Sequence, residues 1–209
     1  MKNIILDLGG VLIDIDYHKT INAFKNLGVV DFENKYSQTT ANTLFEDLET
    51  GKISENEFYD GIRKETKLPL DNEQIKTAWN SILLNYRPNS IAYLQQLNQT
   101  YTTYLLSNTN SIHQTSFLQT YTTVFKENLN NNFTKAYYSH EIHLRKPHKN
   151  IYEFVLADAN IMAEETLFID DSIINIPMAN ELGIITHLLL KGEKIEDVIP
   201  NYLTSSKSI

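Results

Sequence analysis

The sequence contains no cysteine, a single tryptophan, and only 5 prolines and 7 glycines among its 209 residues. Without cysteine the chain can form neither a disulfide framework nor a thiolate nucleophile, and this composition fits a reducing cytoplasm. No apolar run approaches the roughly 18 residues of a membrane-spanning helix, and the first residues lack the basic and apolar regions of a signal peptide. We therefore expect a cytoplasmic protein that has no membrane partner.

Positive charge is also scarce. The 18 lysines and arginines stand against 26 aspartates and glutamates, and the formal net charge is −8. This balance disfavours binding to the phosphate backbone of nucleic acids, so we expect no nucleic-acid partner. An acidic protein can still act on small phosphates if a divalent cation neutralises its site. The length suits one domain with an insertion, and a monomer is the default expectation.

The opening stretch carries the first feature of chemical interest. Residues 4–6 form a short apolar run that predicts a buried strand, and Asp7 follows at its carboxyl end, just before Gly9 and Gly10. Ligands of open α/β sheets bind at this end of the strands, and glycine lets bare backbone approach a ligand closely. Asp7 is therefore a candidate nucleophile or metal ligand, with helix capping as the equally good alternative.

The middle of the first half has a helical pattern. Its apolar spacing, capping boxes and glycine stops predict helices over residues 17–27, 32–48, 54–66 and 71–83. Trp79, Ile82 and Leu83 share the apolar face of the last of these, and we expect Trp79 in the core of a small bundle rather than at a ligand. Residues 17–86 then form an all-helical cap, inserted into a core of residues 1–16 and 87–209.

The rest of the chain alternates between strand and helix patterns. The predicted strands cover residues 101–106, 136–139, 166–169 and 184–190. One helix is predicted to begin at Pro88, before the strand over 101–106. Further helical segments are predicted from the end of that strand to about residue 128, and then over residues 150–159, 172–182 and 194–203. This alternation is typical of the α/β class, with a doubly wound parallel sheet covered by helices on both faces.

Three predicted strands end in polar side chains, and a lysine lies between the second and third. These residues are Asp7, then Ser107 and Asn108, then Lys146, then Asp170 and Asp171. Taken singly, each has an ordinary explanation as a turn, cap or surface residue. Because the carboxyl ends of parallel strands share one edge of the sheet, we expect all of them to lie close together.

Such a cluster has a clear chemical use. Several carboxylates in one place repel one another unless a cation relieves them, and Mg²⁺ prefers oxygen ligands. Magnesium, a lysine and hydroxyl and amide donors together suit a phosphate dianion. A carboxylate can then attack phosphorus and form an aspartyl-phosphate. The residues by themselves favour phosphoryl-transfer chemistry.

Four segments resemble, in order and spacing, the motifs of the haloacid dehalogenase (HAD) superfamily. They are Asp7-Leu8-Gly9-Gly10-Val11-Leu12, Leu105-Leu106-Ser107-Asn108, Arg145-Lys146-Pro147, and Phe168-Ile169-Asp170-Asp171-Ser172 followed by Asn175. The likeness spans residues 3 to about 190. It implies a Rossmann-like core with the helical cap of the first HAD subfamily, and a Mg²⁺-dependent phosphatase for a small phosphorylated metabolite.

The resemblance also implies a role for each motif residue. Asp7 would be the nucleophile and a Mg²⁺ ligand, and the Gly9 carbonyl and Asp171 would be further ligands. Asp170 would orient metal-bound water. The Ser107 hydroxyl and the Asn108 amide would hold the phosphoryl group, and Lys146 would offset the negative charge of nucleophile and phosphate.

One position departs from the usual pattern. Most phosphatases of this superfamily have a second aspartate, a general acid/base, where this chain has Gly9, and such help is worth about 10²–10⁴ in rate. The chain resembles the bacterial α-D-glucose-1-phosphate phosphatase type, whose anomeric leaving oxygen is a weak base; this suggests a hexose 1-phosphate. Asp14 or Asp16 is hypothesised to carry the proton instead, the alternative being flap or capping residues.

Two other functions stay open on the sequence. A 2-haloacid dehalogenase also lacks the second aspartate, although Asp170 and Asp171 would then crowd a carboxylate substrate without a metal. A HAD-fold binding module that has lost turnover at Gly9 is the other alternative.

Overall fold

The structure is a computed structural model that describes residues 1–32 and 43–203. Its described strands form one five-stranded sheet and one two-stranded sheet. The strands of the larger sheet are β1 (Asn3–Leu6), β4 (Thr102–Ser107), β5 (Lys135–Tyr138), β6 (Thr166–Asp170) and β7 (Ile185–Leu188), and those of the smaller are β2 (Ile13–Ile15) and β3 (Leu83–Tyr86).

Helices fill the connections between these strands. They are α1 (Tyr17–Asn26), α2 (Thr43–Glu49), α3 (Glu55–Thr66), α4 (Asn72–Asn80), α5 (Pro88–Leu97), α6 (Ser111–Phe125), α7 (Ser139–Ile142), α8 (Lys149–Asp158), α9 (Ile176–Glu181), α10 (Ile195–Val198) and α11 (Pro200–Leu203). Within the described residues, no helix is both long and apolar enough to cross a membrane.

The larger sheet is parallel throughout, in the order β5-β4-β1-β6-β7. The predicted doubly wound α/β sheet is therefore confirmed. Strand β1 lies at its centre, and Leu6 pairs with Leu105 on one side and Ile169 on the other. This register places the residues that follow the three strands at one edge of the sheet.

Both faces of the sheet are covered by apolar side chains. Ile4 and Leu6 belong to one buried cluster and Ile5 to another, because successive side chains of a strand point to opposite faces. A strand that is buried on both faces reads as an uninterrupted apolar run, as the sequence of β1 does.

The smaller sheet was not predicted from the sequence. Helix α4 ends at Asn80, and residues 83–86 pair antiparallel with residues 13–15. The prediction of a helix through Leu83, and of an all-helical segment up to residue 86, is therefore wrong at its end. Four residues carry no helical or strand periodicity of their own, and their partner lies about seventy residues away, so only the tertiary pairing reveals the strand.

Other predicted boundaries moved by a few residues. A 3₁₀ turn at Ile173–Asn175 replaces the first turn of the predicted helix over 172–182, and the tail forms two short helices instead of one. Of the helix predicted over 32–48, residues 43–49 are helical, and residues 33–42 lie outside the described part. The limits of the proposed cap, residues 17 and 86, stay a prediction.

Trp79 lies at the centre of a third apolar cluster, formed mainly by α1–α4. Its ring is fully buried and stacks on Phe45 at 5.3 Å and on the His113 ring at 4.8 Å. The Asn110 side-chain amide donates to Nδ1 of His113, which leaves Nε2 to donate to the Trp79 carbonyl at 3.1 Å. His113 lies in α6, so this stack joins the first helices to the sheet-covering helices, and the expected core position of Trp79 is confirmed.

We predict that Trp79→Ala lowers the free energy of unfolding by about 3–5 kcal/mol, because it removes a large buried ring and leaves a cavity. Urea denaturation followed by circular dichroism measures this. Val124→Ala is the control, since Val124 is 58% exposed and should change stability by less than about 0.5 kcal/mol. Equal, small effects of the two substitutions would contradict the central role of the Trp79 stack.

Candidate active site

Three carboxylates meet at the carboxyl edge of the sheet. Asp7 follows β1, Asp170 ends β6, and Asp171 comes next in the chain; one oxygen of each lies within 4.8 Å of the others. The Asp7 amide still donates to the Ile169 carbonyl at 2.9 Å, so the sheet hydrogen bonding itself sets the position of the first aspartate beside the other two. The predicted meeting of these strand ends is seen in the structure.

Gly10 makes room for this arrangement. Its φ of +67° lies in the left-handed region, and a Cβ at this residue would come within 2.2 Å of the Asp171 carboxylate. Any side chain at position 10 would force Asp171 out of its present position. The glycine is thus a requirement of the carboxylate cluster and not only of the turn.

Lys146 is buried among these acids, with only 1% of its side chain exposed. Its ammonium lies 3.0 Å from Asp7 Oδ1 and 2.6 Å from Asp170 Oδ2, and it donates to the Leu106 carbonyl at 2.8 Å. The Asn108 side chain holds the lysine backbone on both sides, accepting from its N–H at 2.9 Å and donating to its carbonyl at 2.8 Å. These contacts hold the Lys146 ammonium in one position and keep it out of solvent.

Asp170 is fully buried, and its contacts give it a positioning role. Besides Lys146, its oxygens accept from the Ser172 N–H at 2.8 Å and from the Asn175 side-chain amide at 3.0 Å. The capping contact that the sequence offered as an alternative is therefore present for Asp170. It coexists with the carboxylate cluster instead of replacing it.

The electrostatics of the cluster call for a further cation. Burial raises the pKa of Asp7 to about 8; Lys146 opposes this, and the charges of Asp170 and Asp171 add to it. Burial, followed by the charge of Asp170, raises the pKa of Asp171 to about 6. Although burial alone would lower the pKa of Lys146, Asp170 and Asp7 outweigh it and raise that pKa. One ammonium thus leaves three carboxylates undercompensated, and an all-oxygen set of this kind suits Mg²⁺.

A cavity of about 440 Å³ opens above these groups. Asp7, Ser107, Asn108, Lys146 and Asp171 line its floor. The structure therefore brings together every residue for which the resemblance implied a nucleophilic or phosphate-binding role. Gly9 and Asp171, two of the implied metal ligands, also line the cavity, and buried Asp170 contacts Lys146.

An apolar side chain lies beside the departure at Gly9. A Cβ added to Gly9 would meet Ile15 Cδ1 at 3.2 Å, and Ile15 itself lines the cavity. An aspartate at position 9 would thus need Ile15 to shift. Position 9 lacks the usual general acid/base, and the side chain next to it, Ile15, is apolar, so the absence of a carboxylate agrees with its surroundings.

The two candidate proton carriers have other partners. Asp14 accepts from Arg87 Nε at 2.7 Å, and Asp16 caps α1 by accepting from the His18 N–H at 2.9 Å. Neither belongs to the described residues that line the cavity. These contacts favour the alternative of flap and capping residues, and the proton-carrier role stays a prediction.

Sequence reasoning missed the upper wall of the cavity, which includes Tyr17, Glu46, Glu49 and Arg145. Burial, and then the charges of Glu49 and Asp171, raise the pKa of Tyr17, so its hydroxyl keeps its proton. Two of these residues could have been noticed in the sequence only through their neighbours: Arg145 directly precedes Lys146, and Tyr17 directly follows residues 11–16, the predicted flap. Glu49 carried no signal, since its helix comes from a distant part of the chain.

We predict that Asp7→Asn raises the Tm of the metal-free protein at pH 8, by about 2 °C or more. Between pH 3.8, the ordinary pKa, and about 8, folded Asp7 holds a proton that the unfolded chain has lost. The unfolding free energy of wild type therefore falls as pH rises through this window, and asparagine removes that loss. Thermal unfolding in EDTA at pH 5 and pH 8 measures the difference, which should be larger at pH 8.

Asp158→Asn is the matched control. A hydrogen bond from Lys135 lowers the pKa of this exposed aspartate, so its replacement should not raise the Tm at either pH. If Asp7→Asn instead has a lower Tm than wild type at pH 8 in EDTA, the ionised Asp7 carboxylate does not destabilise the metal-free fold, contrary to the prediction.

Comparison with known proteins places this geometry in a family. A family model for haloacid dehalogenase-like hydrolases matches residues 1–183. D-Ribitol-5-phosphate phosphatase of Bacteroides thetaiotaomicron is 33% identical over 183 residues, covering 88% of this chain and 89% of that protein. A HAD family enzyme variant from the same organism, crystallised with magnesium and inorganic phosphate, superposes with a TM-score of 0.91 at 37% identity, covering 95% of this chain and 98% of the other.

A second solved relative extends this likeness. A HAD-like family hydrolase from Porphyromonas gingivalis has a TM-score of 0.89 at 32% identity, covering 97% of this chain and 98% of the other. An L-2-haloacid dehalogenase, at 17% identity and a TM-score of 0.58, shares the fold alone. By its sequence, its fold and its site, the chain belongs to the haloacid dehalogenase-like hydrolases.

Proposed function

We propose that the protein is a Mg²⁺-dependent phosphatase that hydrolyses a small phosphorylated sugar or sugar alcohol through an aspartyl-phosphate on Asp7. One observation carries this proposal: three carboxylates surround one point on the cavity floor, and the Lys146 ammonium lies 3.0 Å from the Asp7 oxygen. The phosphatase name of the relative and the magnesium and phosphate complex of the solved neighbour support it.

The residues fit a magnesium ion. Asp7, Asp171 and the Gly9 carbonyl would hold it, with Asp170 orienting its water, and all of these donors are the hard oxygens that Mg²⁺ prefers. Bound there, the ion would favour the ionised form of Asp7 and offset the charge of the incoming phosphate.

The residues of the chain carry out the two displacement steps. The Asp7 carboxylate attacks phosphorus, the bond to the ester oxygen breaks, and the departing alkoxide takes up a proton. Water then attacks phosphorus and gives up a proton to solvent, the bond between phosphorus and the Asp7 oxygen breaks, and the free carboxylate and inorganic phosphate result. The Ser107 hydroxyl and the Asn108 backbone N–H donate to the phosphoryl oxygens, and Lys146 stabilises their charge from a fixed position.

The leaving group separates two substrate candidates. A hexose 1-phosphate leaves through an anomeric oxygen, a weak base that tolerates the missing acid at Gly9. D-Ribitol 5-phosphate, the compound named for the Bacteroides relative, leaves through a primary alcohol and needs a proton. The two compounds share a phosphate ester on a neutral polyhydroxy chain, and this shared chemistry defines the class that we propose.

The assay that tests this function is hydrolysis of p-nitrophenyl phosphate with Mg²⁺ and with EDTA. We expect turnover with Mg²⁺, its loss in EDTA, and a decrease of about 10³-fold or more in Asp7→Asn, because the attacking group is gone. Asp158→Asn, on the surface, should match wild type.

Two results would replace the proposal. Release of chloride from 2-chloropropionate without Mg²⁺ would indicate a dehalogenase. Binding of Mg²⁺ and phosphate without hydrolysis of any phosphate ester would indicate a silent binding module. The buried Asp170 and the neighbouring Asp171 argue against the dehalogenase, since without a metal they would repel a carboxylate substrate.

The proton-carrier hypothesis has a separate test with D-ribitol 5-phosphate as substrate. If Asp14 or Asp16 protonates the leaving oxygen, its replacement by asparagine lowers kcat by about 10²-fold or more. Turnover at the wild-type rate in both variants would end the hypothesis and leave these residues to their contacts with Arg87 and helix α1.

A further inference from the structure

The cavity has an upper wall whose polar groups the phosphatase mechanism does not use. Glu49, the last residue of α2, is buried there, and Arg145 reaches it from the segment that also carries Lys146. The guanidinium Nη2 lies 2.9 Å from Glu49 Oε2. The ion pair lines the same cavity as Asp7, Lys146 and Asp171 without belonging to the carboxylate cluster, so it is available to the part of a substrate beyond its phosphate.

The pair is incompletely hydrogen-bonded. Among the described residues, Glu49 Oε2 has no polar partner besides Arg145 Nη2, and buried Arg145 Nε donates no hydrogen bond. Burial raises the pKa of Glu49, while the Arg145 charge opposes that rise. Leaving such atoms without hydrogen bonds is costly, and native structures do so rarely. Unused donor and acceptor capacity in a cavity wall points to a ligand that supplies the missing partners.

A purely structural role for the pair is already filled by neighbouring contacts. His143 Nδ1 donates to the Thr50 carbonyl at 2.8 Å. Gly51, at φ +65°, packs so closely that a Cβ there would lie 2.2 Å from the His140 carbonyl oxygen. These contacts also join the end of α2 to the segment around α7, so the ion pair is not needed as the sole link between the two segments.

The charges of the wall select the kind of group that fits. Glu46 and Glu49 outnumber Arg145 there, so a second anionic group on the substrate would be repelled. A hydroxyl both donates and accepts, and can therefore bridge the guanidinium and the carboxylate. Two neighbouring hydroxyls can use both groups at once.

We propose that the Glu49–Arg145 pair determines substrate specificity by binding neighbouring hydroxyl groups of a neutral polyhydroxy chain, and by rejecting phosphate esters that carry a second negative charge. The inference rests on the proposed phosphatase function and adds the residues that recognise the part of the substrate beyond its phosphate. Glu49 accepts from one hydroxyl, Arg145 donates to the next, and the phosphate end stays on the floor with Ser107 and Lys146.

The experiment compares three phosphate esters in wild type and Glu49→Gln: D-ribitol 5-phosphate, p-nitrophenyl phosphate and 3-phosphoglycerate. The glutamine keeps the shape of the side chain and removes its charge. We expect kcat/KM for D-ribitol 5-phosphate to fall about 10-fold or more, mainly through KM, because a hydrogen bond to a charged group is lost. For p-nitrophenyl phosphate, which has no hydroxyls, the change should stay below about threefold.

The third ester gives a result that misfolding cannot produce. With one negative charge removed from the wall, turnover of 3-phosphoglycerate should rise relative to p-nitrophenyl phosphate. Arg145→Lys, which keeps the charge but loses the planar fork, should also weaken D-ribitol 5-phosphate selectively. Glu141→Gln is the control: this exposed residue bonds Gln114 and should leave all three rates unchanged.

If Glu49→Gln lowers kcat/KM equally for D-ribitol 5-phosphate and p-nitrophenyl phosphate, the inference is overturned. The ion pair then has only a structural role between the two segments. A wild-type enzyme that does not prefer the polyol ester to p-nitrophenyl phosphate would overturn it as well. Failure of the phosphatase function itself looks different, since wild type would then hydrolyse none of the three esters with Mg²⁺.

Discussion

The buried contact of one ammonium with two carboxylates is the constraint around which this molecule is built. Lys146 lies 3.0 Å from Asp7 and 2.6 Å from Asp170, with almost no access to water. Taking charges out of water costs several kcal/mol for each ion unless close partners compensate. Burial raises the pKa of Asp7 most, and the charges of Asp170 and Asp171 add to this rise because one lysine cannot compensate three carboxylates. The fold thus holds an excess of negative charge that a divalent cation can relieve.

The sheet makes this constraint geometrically feasible. Parallel pairing of β1 with β4 and β6 aligns their carboxyl ends, so groups about a hundred residues apart in the chain meet without any long-range signal in the sequence. The apolar faces of these strands supply the stability that the charged edge lacks. Functional sites are commonly less stable than the scaffold around them. In this protein the residues within the strands are apolar, and the charged residues of the site begin where the strands end.

What could be predicted from the sequence follows from this separation. The central strands, Asp7 and Asp171 were predictable, because short apolar runs and the polar residues after them are local patterns. Lys146 follows no strand, and its role was predicted from the resemblance to the HAD motifs. The β2–β3 pair and the Glu49–Arg145 wall were not, because each joins segments from distant parts of the chain whose local patterns are silent or helical. Local pattern thus determined the floor of the cavity, and tertiary contact alone determined its wall.

Glycine in place of the usual second aspartate bears on how a substrate must be held. Ile15 lies beside Gly9 where other phosphatases of the superfamily have an acid, so less of the barrier can be lowered by proton transfer to the leaving group. Interactions with parts of the substrate remote from phosphorus can compensate if they orient the ester for in-line attack by Asp7. The Glu49–Arg145 pair lines the same cavity as Asp7, and in its proposed specificity role it would supply such interactions. A site that lacks a general acid at position 9 but binds the hydroxyls of its substrate should therefore discriminate among phosphate esters by their pattern of hydroxyl groups. The basicity of the leaving oxygen should matter less.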